Sequence, residues 1–317
     1  MLPIIMDRKG ADMSLQQAVA GDAQASPVVR RQMFQQAGKI AAAVAVTAAA
    51  GAITSAPAEA QITDVDIFNF ALNFEYLGAE FYLRAVTGAG LAGLINSVPV
   101  PSGPGTPGTV LAPPNTLVPF QTPAVAYYAQ RLANDELAHS RFIRDVLGSA
   151  AIPEPTIDLV TSWTTMAIAA GLIAPGQTFS PFASEVDFLL GAYILEDVCV
   201  TALAGAASQL TSPTNLTYAA GLLGTEGAHA GAIRGYLANI GGGAATDAIS
   251  ALRAKLSGVG DNGTAANGNP FNFTNVDFNG QSFRRTPQQV LAIAYGGNRT
   301  GGGFFPNGVN GTIVTSS

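Results

Sequence analysis

Cysteine occurs once in the 317 residues, tryptophan once and histidine twice, and only 11% of residues are charged. The lone Cys199 makes an intramolecular disulfide impossible. The sparse charge is net acidic, −6 with a pI of about 4.8, so binding of nucleic acid through a basic footprint is not indicated. No repeat of solenoid period runs through the chain. The apolar run 40–53, mostly Ala and Val, falls short of the roughly 20 residues that a membrane-spanning helix needs. Apolar residues are plentiful at 48%, enough for a substantial core, and 36 Gly with 19 Pro predict much loop.

Residues 1–60 read as an export signal. Arg30-Arg31-Gln32-Met33-Phe34 precedes the mild apolar run, and Ala56-Pro57-Ala58 and Ala58-Glu59-Ala60 are small-x-small cleavage candidates. Paired Arg, one residue, then two apolar residues is the pattern of a twin-arginine signal. The expectation is a protein exported already folded to the periplasm or beyond, with no integral span after cleavage. Such a route suits a protein loaded with metal in the cytoplasm.

Both histidines stand three residues after a glutamate: Glu136-Leu137-Ala138-His139 and Glu226-Gly227-Ala228-His229. On a helix, residues i and i+3 share a face, so each turn aims a carboxylate and an imidazole at one point. Four segments carry heptad stripes. Over 64–86 the stripe is Phe68, Leu72, Glu75, Ala79, Tyr82 and Val86. Over 124–147 it is Leu132, Glu136, His139, Ile143 and Val146. Over 184–207 it is Leu189, Ala192, Glu196, Cys199 and Leu203, and over 215–240 it is Leu222, Glu226, His229, Ile233 and Tyr236. Each stripe has a glutamate at its centre, where a carboxylate is costly without a partner. Two Glu-x-x-His turns plus one Glu from each of two further helices are what a di-metal carboxylate site in a bundle core needs. Four carboxylates balance two divalent cations, which is how such a cluster could be buried.

Competing residues are weighed by face. Glu80 lies five residues from Glu75, on another face, and has Arg84 at i+4 for a surface ion pair, so Glu75 is preferred. Glu196 is preferred over Glu185 and Asp197 by its seam position. Cys199 reads as a small core residue with a soft-ligand alternative. Tyr82 and Tyr193 read as core, with a relay role next to the site as the alternative.

The remaining stretches connect these helices. Residues 88–123 are a Gly/Pro-rich linker. The link 149–183 carries an apolar helix-like stretch, 156–173, around Trp163. After residue 240 come a short helical stretch 245–256, a Gly/Asn-rich segment 258–285 and a last short helix 287–295. The expected fold is all-α: a ferritin-like four-helix bundle over 61–243 and a C-terminal extension over 244–317 that packs on it.

The chain resembles the secreted ferritin-like domain proteins grouped with the plant desiccation-related proteins. Leu72-Asn73-Phe74-Glu75-Tyr76-Leu77 with Glu80-Phe81-Tyr82, the two Glu/His turns and Leu195-Glu196-Asp197-Val198 carry the resemblance. So does the tail from Arg285-Thr286-Pro287 to Gly303-Phe304-Phe305-Pro306, and the likeness spans about 62–310. It implies that Glu75, Glu136, His139, Glu196, Glu226 and His229 ligate two divalent ions, Fe or Mn. Two functions follow as expectations. One is ferroxidase- or catalase-like chemistry on O2 or peroxide in oxidative or desiccation stress. The other is a non-enzymatic envelope or stress-protection protein with a structural or vestigial site. A homo-oligomer is allowed, but long loops and a sizeable tail would obstruct a closed storage shell.

Overall fold

The computed structural model describes residues 62–93, 105–268 and 271–317. The expected export signal and Pro99, Pro101 and Pro104 of the linker lie outside the described residues.

Helix α1 spans Asp64–Thr87. Thr63 starts it with a capping box, its side chain accepting from the Asp66 amide while Asp66 bonds back to the Thr63 amide. Gly88 ends it at φ 79°, a left-handed conformation that suits glycine. Helix α2, Pro123–Leu147, begins with proline in its first turn, where a missing N–H costs nothing. Helix α3 is Thr161–Ala169. Helix α4, Glu185–Ala206, is capped by Ser184, and α5, Pro213–Asn239, by Ser212. Helices α6, Gly243–Ser257, and α7, Pro287–Ala294, belong to the C-terminal extension.

The core is two helix pairs, α1 on α2 and α4 on α5. The first pair is antiparallel: Asn69, early in α1, donates to the Ala150 carbonyl just beyond α2, and Tyr76 meets Arg144. Apolar seam residues meet inside, with Leu72, Leu132, Leu189 and Ile233 buried. The stretch Glu185–Gln209 is long and apolar enough to cross a membrane, yet its most apolar part is mostly buried in the bundle. Its hydropathy is that of a core helix wrapped on all sides.

The stretch expected to be helical over 156–173 is shorter. Ile157–Asp158 is instead a strand, β2, paired in parallel with β1, Val110–Leu111. The Asp158 carboxylate then accepts from the amides of Val160 and Thr161. A side chain that binds the backbone two and three residues on competes with helix and starts a turn, which delays the helix to Thr161. The extension meets the bundle through a buried chain of ion pairs. Asp197 of α4 binds Arg234 of α5 and Arg253 of α6, and Asp261 binds Arg253 and Arg285.

Candidate metal centre

Glu75 of α1, Glu136 and His139 of α2, Glu196 of α4, and Glu226 and His229 of α5 are all buried and converge midway along the bundle. They form two overlapping groups, Glu75/Glu136/His139/Glu226 and Glu136/Glu196/Glu226/His229, and in each the ligating atoms lie within 4.8 Å of one another. Glu136 and Glu226 belong to both. His139 Nδ1 lies 3.0 Å from Glu226 Oε1, 3.4 Å from Glu75 Oε2 and 3.8 Å from Glu136 Oε1. His229 Nδ1 lies 3.4 Å from Glu196 Oε2, 3.6 Å from Glu136 Oε1 and 3.9 Å from Glu226 Oε2. The two imidazoles face each other at 6.1 Å between ring centres.

The chemistry of this donor set fits cations. Glu75 Oε2, Glu136 Oε1, Glu196 Oε2, both Glu226 oxygens and both Nδ1 atoms are buried with no hydrogen bond of acceptable geometry. Buried polar atoms are nearly always paired, and seven orphans aimed at one region call for a partner that accepts lone pairs. Electrostatics agree. Burial pushes the Glu136 carboxyl well above the usual range, reinforced by the charges of Glu226 and Glu196. Burial likewise raises Glu75, and raises Glu196 to about 7. Burial would also raise Glu226, but contact with His139 and His229 outweighs it and holds that carboxyl at about 2. Burial alone would lower both histidines, but the carboxylates around them push His139 to about 10 and His229 to about 11. Protons taken up by these groups hold the charge of the cluster down. Divalent ions would take over that role and displace them.

Groups around the cluster fix its geometry. Tyr82, fully buried on α1, donates its hydroxyl to Glu196 Oε1. Tyr82 therefore touches the cluster as the relay alternative required, and is also core. The Asp135 carboxylate lies 3.2 Å from His229 Nε2 and is gripped by Arg131 Nε at 2.8 Å. Donation from Nε2–H to Asp135 leaves the Nδ1 lone pair facing the centre, as outer-shell carboxylates do for ligating histidines. The sequence reading missed Asp135, because with Arg131 at i−4 it looks like an ordinary surface ion pair. Gly78 was missed as well: a β-carbon there would sit 2.2 Å from Glu136 Oε2.

The competing residues lie elsewhere. Glu80 pairs with Arg84 and accepts from the Leu91 amide, but it is buried rather than on the surface, because the turn at Leu91–Gly93 folds over it. Asp197 faces the arginines, and Glu185 caps the amides of Gln121 and Thr122. Tyr193 packs under Arg253 and Arg234 and hydrogen-bonds Ser250, away from the cluster. The Cys199 sulfur is in neither group, and burial raises its thiol.

The family model for the ferritin-like domain matches residues 63–239, more than half of the chain. The chain belongs to the ferritin-like family. One relative of this ferritin-like chain is the ferritin-like catalase Nec2 of Nesocodon mauritianus. It is 29% identical over 276 residues, 79% of this chain and 85% of the relative. Another is the desiccation-related protein PCC13-62 of Craterostigma plantagineum, 30% identical over 176 residues. That match covers 55% of this chain and 53% of the relative, so it spans about half of that protein's length. No solved structure matches the chain.

Proposed function

We propose that this ferritin-like chain is an exported di-metal carboxylate protein that holds two ions of iron or manganese and consumes peroxide. The carrying observation is the pair of overlapping clusters that share Glu136 and Glu226. A shared pair of carboxylates is what holds two ions side by side. Glu75 and His139 would complete one position, Glu196 and His229 the other. When bound, two neighbouring ions that each change by one electron match the two-electron chemistry of peroxide. The protein's part is to bind and position: Tyr82 orients Glu196, Asp135 fixes the His229 ring, and the apolar seam excludes bulk water. The name catalase carried by one relative supports peroxide over dioxygen as the working oxidant. A second relative is named for desiccation, which favours a protective role without turnover as the second reading.

Elemental analysis of the natively exported protein should find about two Fe or Mn per chain. His139→Ala and His229→Ala should each lower that content while the far-UV helix signal persists. Glu136→Gln removes one of four negative charges and should slow peroxide consumption by the reconstituted protein. A wild type that takes up no iron or manganese after anaerobic reconstitution overturns the binding claim. Two bound metals with no peroxide or O2 reaction faster than that of Glu136→Gln leave the protective reading.

Export rests on Arg30 and Arg31. The double variant Arg30→Lys, Arg31→Lys should hold the precursor in the cytoplasm, as fractionation would show, and unchanged export would rule out the twin-arginine route.

A further inference from the structure

Two small cavities adjoin the cluster between α1 and α4. One, of about 20 Å³, reaches Glu136 and Glu196; the other, of about 40 Å³, reaches Glu75. Phe74, Val198 and Cys199 line both. Apart from the carboxylates and the Cys199 thiol, every lining side chain is hydrocarbon or glycine.

From this we infer that the α1/α4 crevice is a dioxygen site serving the metal centre, an inference that rests on the peroxide reading above. Size decides first. A water needs roughly 10–15 Å³ on this measure and a cavity of about 150 Å³ admits benzene, so ring- or chain-shaped substrates do not fit. Wall chemistry decides second. A water or peroxide there would find partners only in the carboxylates at the cluster end and the Cys199 thiol, and the rest of the wall offers none. Dioxygen has nothing to satisfy. Disproportionation converts two H2O2 into one O2 and two H2O: one peroxide gives up two electrons and two protons, and the other takes them. The reaction thus makes one apolar product from polar reactants. Polar species would come from the side of His139 and Asp135, whose side chains are 10% and 16% exposed, against 1–8% for Glu75, Glu136, Glu196 and Glu226. Cys199 suits the shared wall because it is small; a larger side chain there would crowd both cavities.

Xenon is a probe for a dry apolar cavity. Crystals of the wild type under xenon pressure should show the atom against Phe74, Val198 and Cys199, and Cys199→Leu should lose it. In solution, oxidation of the Fe(II)-loaded Cys199→Leu chain by O2 should slow several-fold, while its single-turnover oxidation by H2O2 stays at the wild-type rate. Ala71→Leu, which fills the larger cavity alone, serves if Cys199→Leu does not fold, and should displace xenon from that cavity. No xenon in the wild-type crevice, or equal slowing with both oxidants, overturns the assignment. Failure of the peroxide reading would show separately, in the metal content, and the xenon position needs no metal.

Discussion

Gly78 faces Glu136 so closely that the two cannot both keep their places if Gly78 gains a methyl group. The atom in the way is a carboxylate oxygen at the end of a side chain, so it can swing without breaking the helix. It would swing out of the position that both clusters share. Gly78→Ala should therefore keep or raise helix content, since Ala favours a helix interior over Gly by about 1 kcal/mol. It should also lower the metal content relative to wild type. Gly224→Ala on α5, where a β-carbon meets open space, is the control and should keep full metal content. Equal metal in both variants, by elemental analysis, would contradict the role given to Gly78. The six clustered residues were legible because a carboxylate inside an apolar seam is conspicuous, and an imidazole one turn on makes it more so. Gly78 and Asp135 were not. A glycine in a helix has many readings, and Asp135 has its visible partner in Arg131 while its partner in the site is 94 residues away.

At the scale of elements, helix ends with a local chemical cause were legible and those with a distant cause were not. Thr63 with Asp66 and Thr286 with Gln289 are capping boxes written in four consecutive residues. Gly88 and Gly148 stop α1 and α2 where the stripes end. Helix α5 starts two residues before the expected 215, because Pro213 occupies its first turn rather than closing the loop before it. The start of α3 depends on Asp158, and Asp158 is placed by pairing with Leu111, 47 positions earlier. Nothing near Trp163 announces that pairing, so the apolar stretch around it reads as one longer helix. Glu80 fails in the same way. Its i+4 partner Arg84 is local, whereas the amide of Leu91 that covers it comes from a linker whose prolines show only that it is not helical.

For the whole molecule, the question is what makes the C-terminal extension part of the fold. Its link to the bundle runs through alternating charges: Arg234, Asp197, Arg253, Asp261 and Arg285, with side chains at most 2% exposed. Asp261 is the hinge of this series. It takes Arg253 Nη2 at 2.9 Å and Arg285 Nη2 at 2.8 Å, and among the described residues it is the carboxylate that pairs with Arg285. Burial, with the neighbouring Arg253, pulls Arg285 below its usual range, and Asp261 opposes them only in part. Asp261→Ala therefore leaves one buried guanidinium without a direct ion pair and another paired only with Asp197. Breaking a buried pair from one side costs about 3–5 kcal/mol, a large share of a typical stability of roughly 5–15 kcal/mol. The loss should appear as a lower urea midpoint, and little of it should be recovered or deepened by salt, because the pairs are shielded from ions in solution. The extension also closes the centre: Ile293 and Ala294 of α7 and Phe304 line the cavity that reaches Glu136 and Glu196. Partial detachment should thus expose the cluster, and metal should leave Asp261→Ala faster under a chelator than it leaves wild type. A cost within about 0.5 kcal/mol, the range of ordinary surface changes, would mean that the extension is draped on the bundle rather than built into it.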